Sequence, residues 1–120
     1  MSEQQAAGHS HGRGVARALA PLGRDLRLAI PEVYAAFGAL SDAAMKPGAL
    51  DTKTKELIAL AIAITRECDG CMASHARTAA RAGASEAEVA EMIGVAVLMN
   101  GGPATVYGPR ALAAFREFAV

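Results

Sequence analysis

The run LIALAIAI, residues 57 to 64, limits what this chain can fold into more than any other stretch. It lies inside the segment LDTKTKELIALAIAITRE, where Asp51 or Thr52 suits a helix N-cap. The short polar side chain there can accept one of the amide N–H groups that a first turn leaves unpaired. A helix that is apolar on almost every side must be enclosed, by its neighbours or by other subunits. The run is also far shorter than the roughly 20 residues that a membrane span needs. Composition points the same way, since 52% of the chain is hydrophobic but only 4% is aromatic. The core is therefore built mostly from Ala, Leu, Ile, Val and Met. Alanine both favours the helix and lets helix axes approach.

The remaining segments read as helices as well. GVARALAPLGRDL predicts a short helix broken at Pro21. Pro31 opens PEVYAAFGALSDAAM with a residue suited to the first helical position, Glu32 complements the dipole, and Pro47 and Gly48 stop it. A further helix, CMASHARTAARAG, starts near Asp69 and ends at Gly83 as its C′ residue. Ser85 and Glu88 form an S-x-x-E capping box, followed by an apolar stripe of Val89, Met92, Ile93, Ala96 and Val97. NGGP at 100–103 ends that helix. The last segment places Leu112, Phe115 and Phe118 or Ala119 inward, with a kink or fresh start at Gly108–Pro109. Met92 and Met99 are expected in the core, Arg77 and Arg81 on a solvated face, and Tyr107 packed or lining a pocket. No alternating strand is found, so the fold is predicted all-α, with about five to six helices.

At 120 residues the chain supports one domain, assigned to 13–120, after a mobile tail over 1–12 that holds His9 and His11 as solvated residues. Twelve basic residues balance twelve acidic ones, which argues against nucleic acid as a partner. MSEQQAAGHSHGRG lacks the basic start and apolar run of a secretory leader, and no membrane span is found, so a soluble, cytoplasmic protein is expected. In that reducing compartment, cysteines three apart point to catalysis or metal binding rather than a permanent cross-link.

Both cysteines lie in ECDGCMASH, residues 67 to 75. On a helix, Cys68, Cys71 and His75 fall at i, i+3 and i+7 and share one face, with Cys71 and His75 direct neighbours. A thiol beside an imidazole is what nucleophilic cysteine chemistry needs, since the thiolate is the attacking species. A second cysteine nearby can resolve the oxidised intermediate as a disulfide. Glu56 is placed in the first turn of the preceding helix. An antiparallel return brings His75 to about 6 Å from it along the axis, within reach of a glutamate plus one water. Flanked by Leu57, Ile58 and Leu60, this carboxylate is partly desolvated and suited to shuttling a proton.

Glu56, eleven residues, then Cys68-x-x-Cys71-x-x-x-His75 resembles the active-site motif of the AhpD-like alkylhydroperoxidases, members of the carboxymuconolactone decarboxylase family. The likeness spans roughly residues 30 to 118, including GGPATVYGPRAL. It implies an all-α AhpD-like bundle that assembles as a homotrimer or homohexamer. It also implies reduction of hydroperoxides or disulfides, with Cys68 and Cys71 as redox couple and Glu56 and His75 as the proton relay that activates Cys71. No bound cofactor is implied; electrons come from an external dithiol, a lipoyl-bearing or thioredoxin-like donor. Two departures stand out. The place before the second cysteine, a histidine in AhpD, is Gly70, which implies a shorter relay or one completed by water. The chain is also a single unit where AhpD is internally duplicated.

Three other readings compete. Cys68, Cys71, His75 and Glu56 could form a zinc-binding module, although no second Cys or His pair closes the site. Decarboxylation of a lactone acid belongs to the same family but does not call for a cysteine pair. A non-enzymatic scaffold could bury the apolar helix at 57–64 between subunits.

Overall fold

The computed structural model describes residues 10–120, and His9 with most of the expected tail lies outside that range. The described residues form six helices: α1 (Arg13–Ala29), α2 (Pro31–Met45), α3 (Thr52–Thr65), α4 (Asp69–Arg81), α5 (Glu86–Asn100) and α6 (Gly102–Phe118). The fold is all-α, with no strand among the described residues.

Helices α3 to α6 make the core. Leu60 and Ile64 of α3, Met72 and Ala76 of α4, Val89 and Ala96 of α5, and Ala104, Ala111, Ala114 and Phe115 of α6 bury against one another. Eight alanines are among the buried apolar residues, which lets the axes come close around the few large side chains, Phe115, Leu60, Ile64 and Val89. The helix ends follow local chemistry. Asp51 caps α3 by accepting the Thr54 N–H at 2.7 Å. Ser85 and Glu88 make the reciprocal capping box of α5, at 3.1 and 2.9 Å. At the end of α4, Gly83 takes φ 87°, a left-handed turn open to glycine, and Ala84 N–H closes onto Ala79 C=O at 3.0 Å.

Pro21 does not break α1, nor does Pro109 give α6 a fresh start. Both prolines face solvent, where water can serve the carbonyl that loses its helical partner. Met99 is a second difference: it is 78% exposed on the outer face of α5, while Met92 packs against the core.

α1 and α2 contribute no buried residue. They form an arm laid against the bundle, α1 on α4 and α6, α2 on α3. Two clasps hold it. Glu117 of α6 accepts from Ser10 Oγ at 2.7 Å and from the N–H groups of Gly12 and Arg13, both at 3.0 Å, so a carboxylate from one helix caps the start of another. Lys55 of α3 donates to the carbonyls of Ala44 and Lys46 at the C-terminal end of α2. Between the arm helices runs an apolar groove lined by Leu26, Ile30, Val33, Tyr34 and Phe37.

Candidate active site

The site is built where α3 hands over to α4. α3 ends in a Schellman turn: Cys68 N–H bonds Ala63 C=O at 3.0 Å, and Glu67 N–H bonds Ile64 C=O at 3.1 Å. The left-handed position of that turn is Glu67, at φ 54°, a place usually taken by glycine. The turn delivers Cys68 to the N-cap of α4, where its carbonyl receives Met72 N–H at 2.9 Å. The sequence reading placed Cys68 on the helix face. It stands instead one residue outside the helix, and its sulfur accepts the N–H of Cys71 at 3.2 Å.

That placement brings the two sulfurs together. Cys68 and Cys71 are disulfide-bonded, with Cα atoms 5.2 Å apart. Cys71 is exposed and Cys68 half-buried. Together with His75 they line an open cleft of about 280 Å³, walled otherwise by Ala59, Ile62, Ala63 and Arg66.

Glu56 lies deeper than the sequence indicates. Thr52 is the first helical residue, so Glu56 falls in the second turn of α3 and faces the bundle, not the solvent at the helix start. It is the one buried charged side chain among the described residues, 6% exposed. No bridging water is required, since His75 Nδ1 lies 2.8 Å from Glu56 Oε2. A carboxylate accepts, so Nδ1 carries the hydrogen, and Nε2 is the nitrogen left to exchange a proton. The same Oε2 accepts the hydroxyl of Thr78 at 2.6 Å. Thr78 was missed in the sequence. Its signal is the three-residue spacing from His75, which puts both on the face of α4 that looks at α3.

Gly70 faces Leu19 of α1. A Cβ at that position would lie 2.8 Å from Leu19 Cδ1 of α1. A side chain as large as histidine and the arm cannot share this space unless Leu19 moves. With both sulfurs joined, no group of three or more His, Cys, Asp or Glu among the described residues is arranged to hold a metal ion, so the zinc reading gains no support. No helix among the described residues is long and apolar enough to cross a membrane.

A model of the carboxymuconolactone decarboxylase family matches residues 31–117, and the chain belongs to that family. The match starts at α2, so α1 lies outside it. Among solved structures, the chain is similar to apo-lpg0406, a carboxymuconolactone decarboxylase family protein of Legionella pneumophila. The TM-score is 0.84 at 40% identity, over 88% of this chain and 95% of that one. TM1620 of Thermotoga maritima gives a TM-score of 0.69 at 30% identity, over 78% and 88% of the two chains. Curated relatives include an uncharacterized protein of Cupriavidus necator, 38% identical over 71% of this chain and 75% of its own length. An uncharacterized protein of the cox locus of Paracoccus denitrificans is 42% identical over 68% and 74%.

Proposed function

We propose that this protein is a thiol-dependent oxidoreductase of the AhpD-like kind, which reduces hydroperoxides or disulfides through Cys68 and Cys71. One observation carries the reading: a bonded cysteine pair and an imidazole anchored on a buried carboxylate line the same small cleft. In the reduced protein a thiolate attacks the hydroperoxide, the O–O bond breaks, and an alcohol leaves with the proton that His75 Nε2 supplies. The resulting sulfenic acid condenses with the second thiol, releasing water and forming the Cys68–Cys71 disulfide. An external dithiol, lipoyl-bearing or thioredoxin-like, then returns two electrons and two protons by thiol–disulfide exchange.

The Glu56 carboxylate holds the ring so that one nitrogen always faces the cleft, and it stabilises the imidazolium when that nitrogen is protonated. Thr78 fixes the carboxylate. A cytoplasmic setting suits a pair that must be re-reduced each cycle. The exposed apolar faces of α2, α3 and α5 support a homo-oligomer, a trimer or hexamer.

The test is dithiol-dependent consumption of an organic hydroperoxide by the purified protein. Turnover that disappears in both Cys68→Ser and Cys71→Ser is the expected result. Full turnover in either variant would remove the reading.

A further inference from the structure

The cleft at the cysteine pair contains one cation that the relay does not use. Arg66, the C-cap of α3, lines the cleft beside Ile62, Ala63 and the disulfide. It is exposed, and among the described residues its guanidinium makes no ion pair or side-chain hydrogen bond. Two acidic residues are near it in sequence, Glu67 and Asp69, but neither lines the cleft. Asp69 is turned to the start of α4, where its Oδ1 accepts Gly70 N–H at 2.7 Å. The other walls, Ala59, Ile62 and Ala63, are apolar. A volume of about 280 Å³ sits at the low end of small-molecule sites.

We infer that Arg66 is a specificity-determining residue that selects a small amphipathic dithiol bearing a carboxylate as the reductant. The apolar chain of such a molecule lies along Ala59 and Ile62, its carboxylate pairs with the guanidinium, and its thiol is thereby set against the disulfide. Arginine offers a planar fork of donors that matches a carboxylate, so the pairing orients the ligand as well as attracting it. The inference rests on the oxidoreductase reading and narrows its external dithiol to a small free acid, since a protein-borne lipoyl group has its carboxylate tied up as an amide. The donor's thiolate attacks one sulfur of the Cys68–Cys71 bond, and the other sulfur leaves as a thiolate. The donor's second thiol then displaces the first cysteine and closes the donor's own disulfide. Two electrons pass to the protein, and the two thiol protons of the donor finish on Cys68 and Cys71.

Dihydrolipoate and dihydrolipoamide serve as probes, because they carry the same dithiol and chain and differ in charge at the end. The rate at which each opens the disulfide is followed by timed thiol alkylation in the wild type, Arg66→Gln and Arg66→Lys. The wild type is expected to favour the acid by about 3- to 10-fold at low salt, through KM rather than the limiting rate. That preference should vanish in Arg66→Gln, survive in part in Arg66→Lys, and shrink as salt is added. Equal rates for the two dithiols in the wild type, or an unchanged preference in Arg66→Gln, would overturn the role of Arg66 while leaving the redox reading standing. If neither dithiol opened the disulfide, the redox reading would fall and this inference with it.

Discussion

Glu56 shows how much one buried charge can organise. A carboxylate this far from water needs partners, and it has two on a single oxygen, the imidazole of His75 and the hydroxyl of Thr78. Glu56→Gln keeps the shape but removes the charge that steadies an imidazolium, so hydroperoxide turnover is expected to fall about 100-fold or more, within the usual range for acid–base assistance. Thr78→Val leaves His75 its partner and should lower turnover by only about 2- to 5-fold, from the loss of one hydrogen bond to a charged group. Steady-state rates of the two variants check the order. Glu67 gives a second expectation at this scale. Its left-handed backbone costs about 1–2 kcal/mol for a side chain with a Cβ, partly offset by the extra freedom glycine would lose. Glu67→Gly should therefore stabilise the fold by roughly 0.5–1 kcal/mol in denaturant melts. Cys68, Cys71 and His75 could be singled out in the sequence because thiols and an imidazole at helical spacing are recognisable chemistry, whereas Glu56, on the preceding helix, drew most of its weight from the family resemblance. The depth of Glu56 was not legible. It depends on how the next helix packs across α3, bringing His75 and Thr78 over the carboxylate, and no local spacing fixes that.

Helices α3 to α6 were readable from their ends. The Asp51 cap, the Ser85–Glu88 box and the Gly83 turn each satisfy orphan backbone groups, and each sits where the sequence placed it. The arm was less legible. A proline inside a pattern normally signals a break, and Pro21 misled because it sits on the solvent side of α1, where the lost bond has water to replace it. The clasp that holds α1, Glu117 on the N–H groups of residues 105 and 104 positions away, joins the two ends of the chain and leaves no local pattern. Burial alone pushes the Glu117 carboxyl upward, but the Ser10 hydroxyl and the backbone N–H groups of Arg13, Gly12 and His11 outweigh it and hold it below its ordinary value of 4.5. A depressed carboxyl contributes stability that is complete above the unfolded value and is lost as pH falls through the folded one. The hold on α1 is therefore expected to be intact above about pH 4.5 and to fade below it. Hydrogen exchange of the α1 amides across that range checks this. Glu117→Gln should loosen α1 at neutral pH by about 1–2 kcal/mol, a value for charge-assisted bonds discounted for partial exposure.

Across the whole molecule, large apolar side chains are left exposed on several helices. Phe37 of α2 is 68% exposed, Ile62 of α3 56%, and Leu98 of α5 80%. The radius of gyration is 14.9 Å, against about 13 Å for a compact domain of this length, because α1 and α2 lie on the outside of the bundle and add no buried residue to its core. The enclosure that the apolar run LIALAIAI calls for is thus half supplied: Leu60, Ala63 and Ile64 face the core, while Ile58 and Ile62 face outward. A homo-oligomer would supply the other half. Sedimentation is expected to give a trimer or hexamer for the wild type, and a smaller species for Phe37→Asp or Leu98→Asp; a monomeric wild type would leave the exposed faces without this explanation. The redox role of Cys68 and Cys71 is tested by a count of free thiols by alkylation and mass spectrometry, on protein first fully reduced and then given one equivalent of organic hydroperoxide. Both cysteines are expected to be alkylated before the peroxide and neither after it, with the Cys68–Cys71 disulfide as the product. Two thiols that remain alkylatable after the peroxide, or that are lost without forming that bond, would contradict that role.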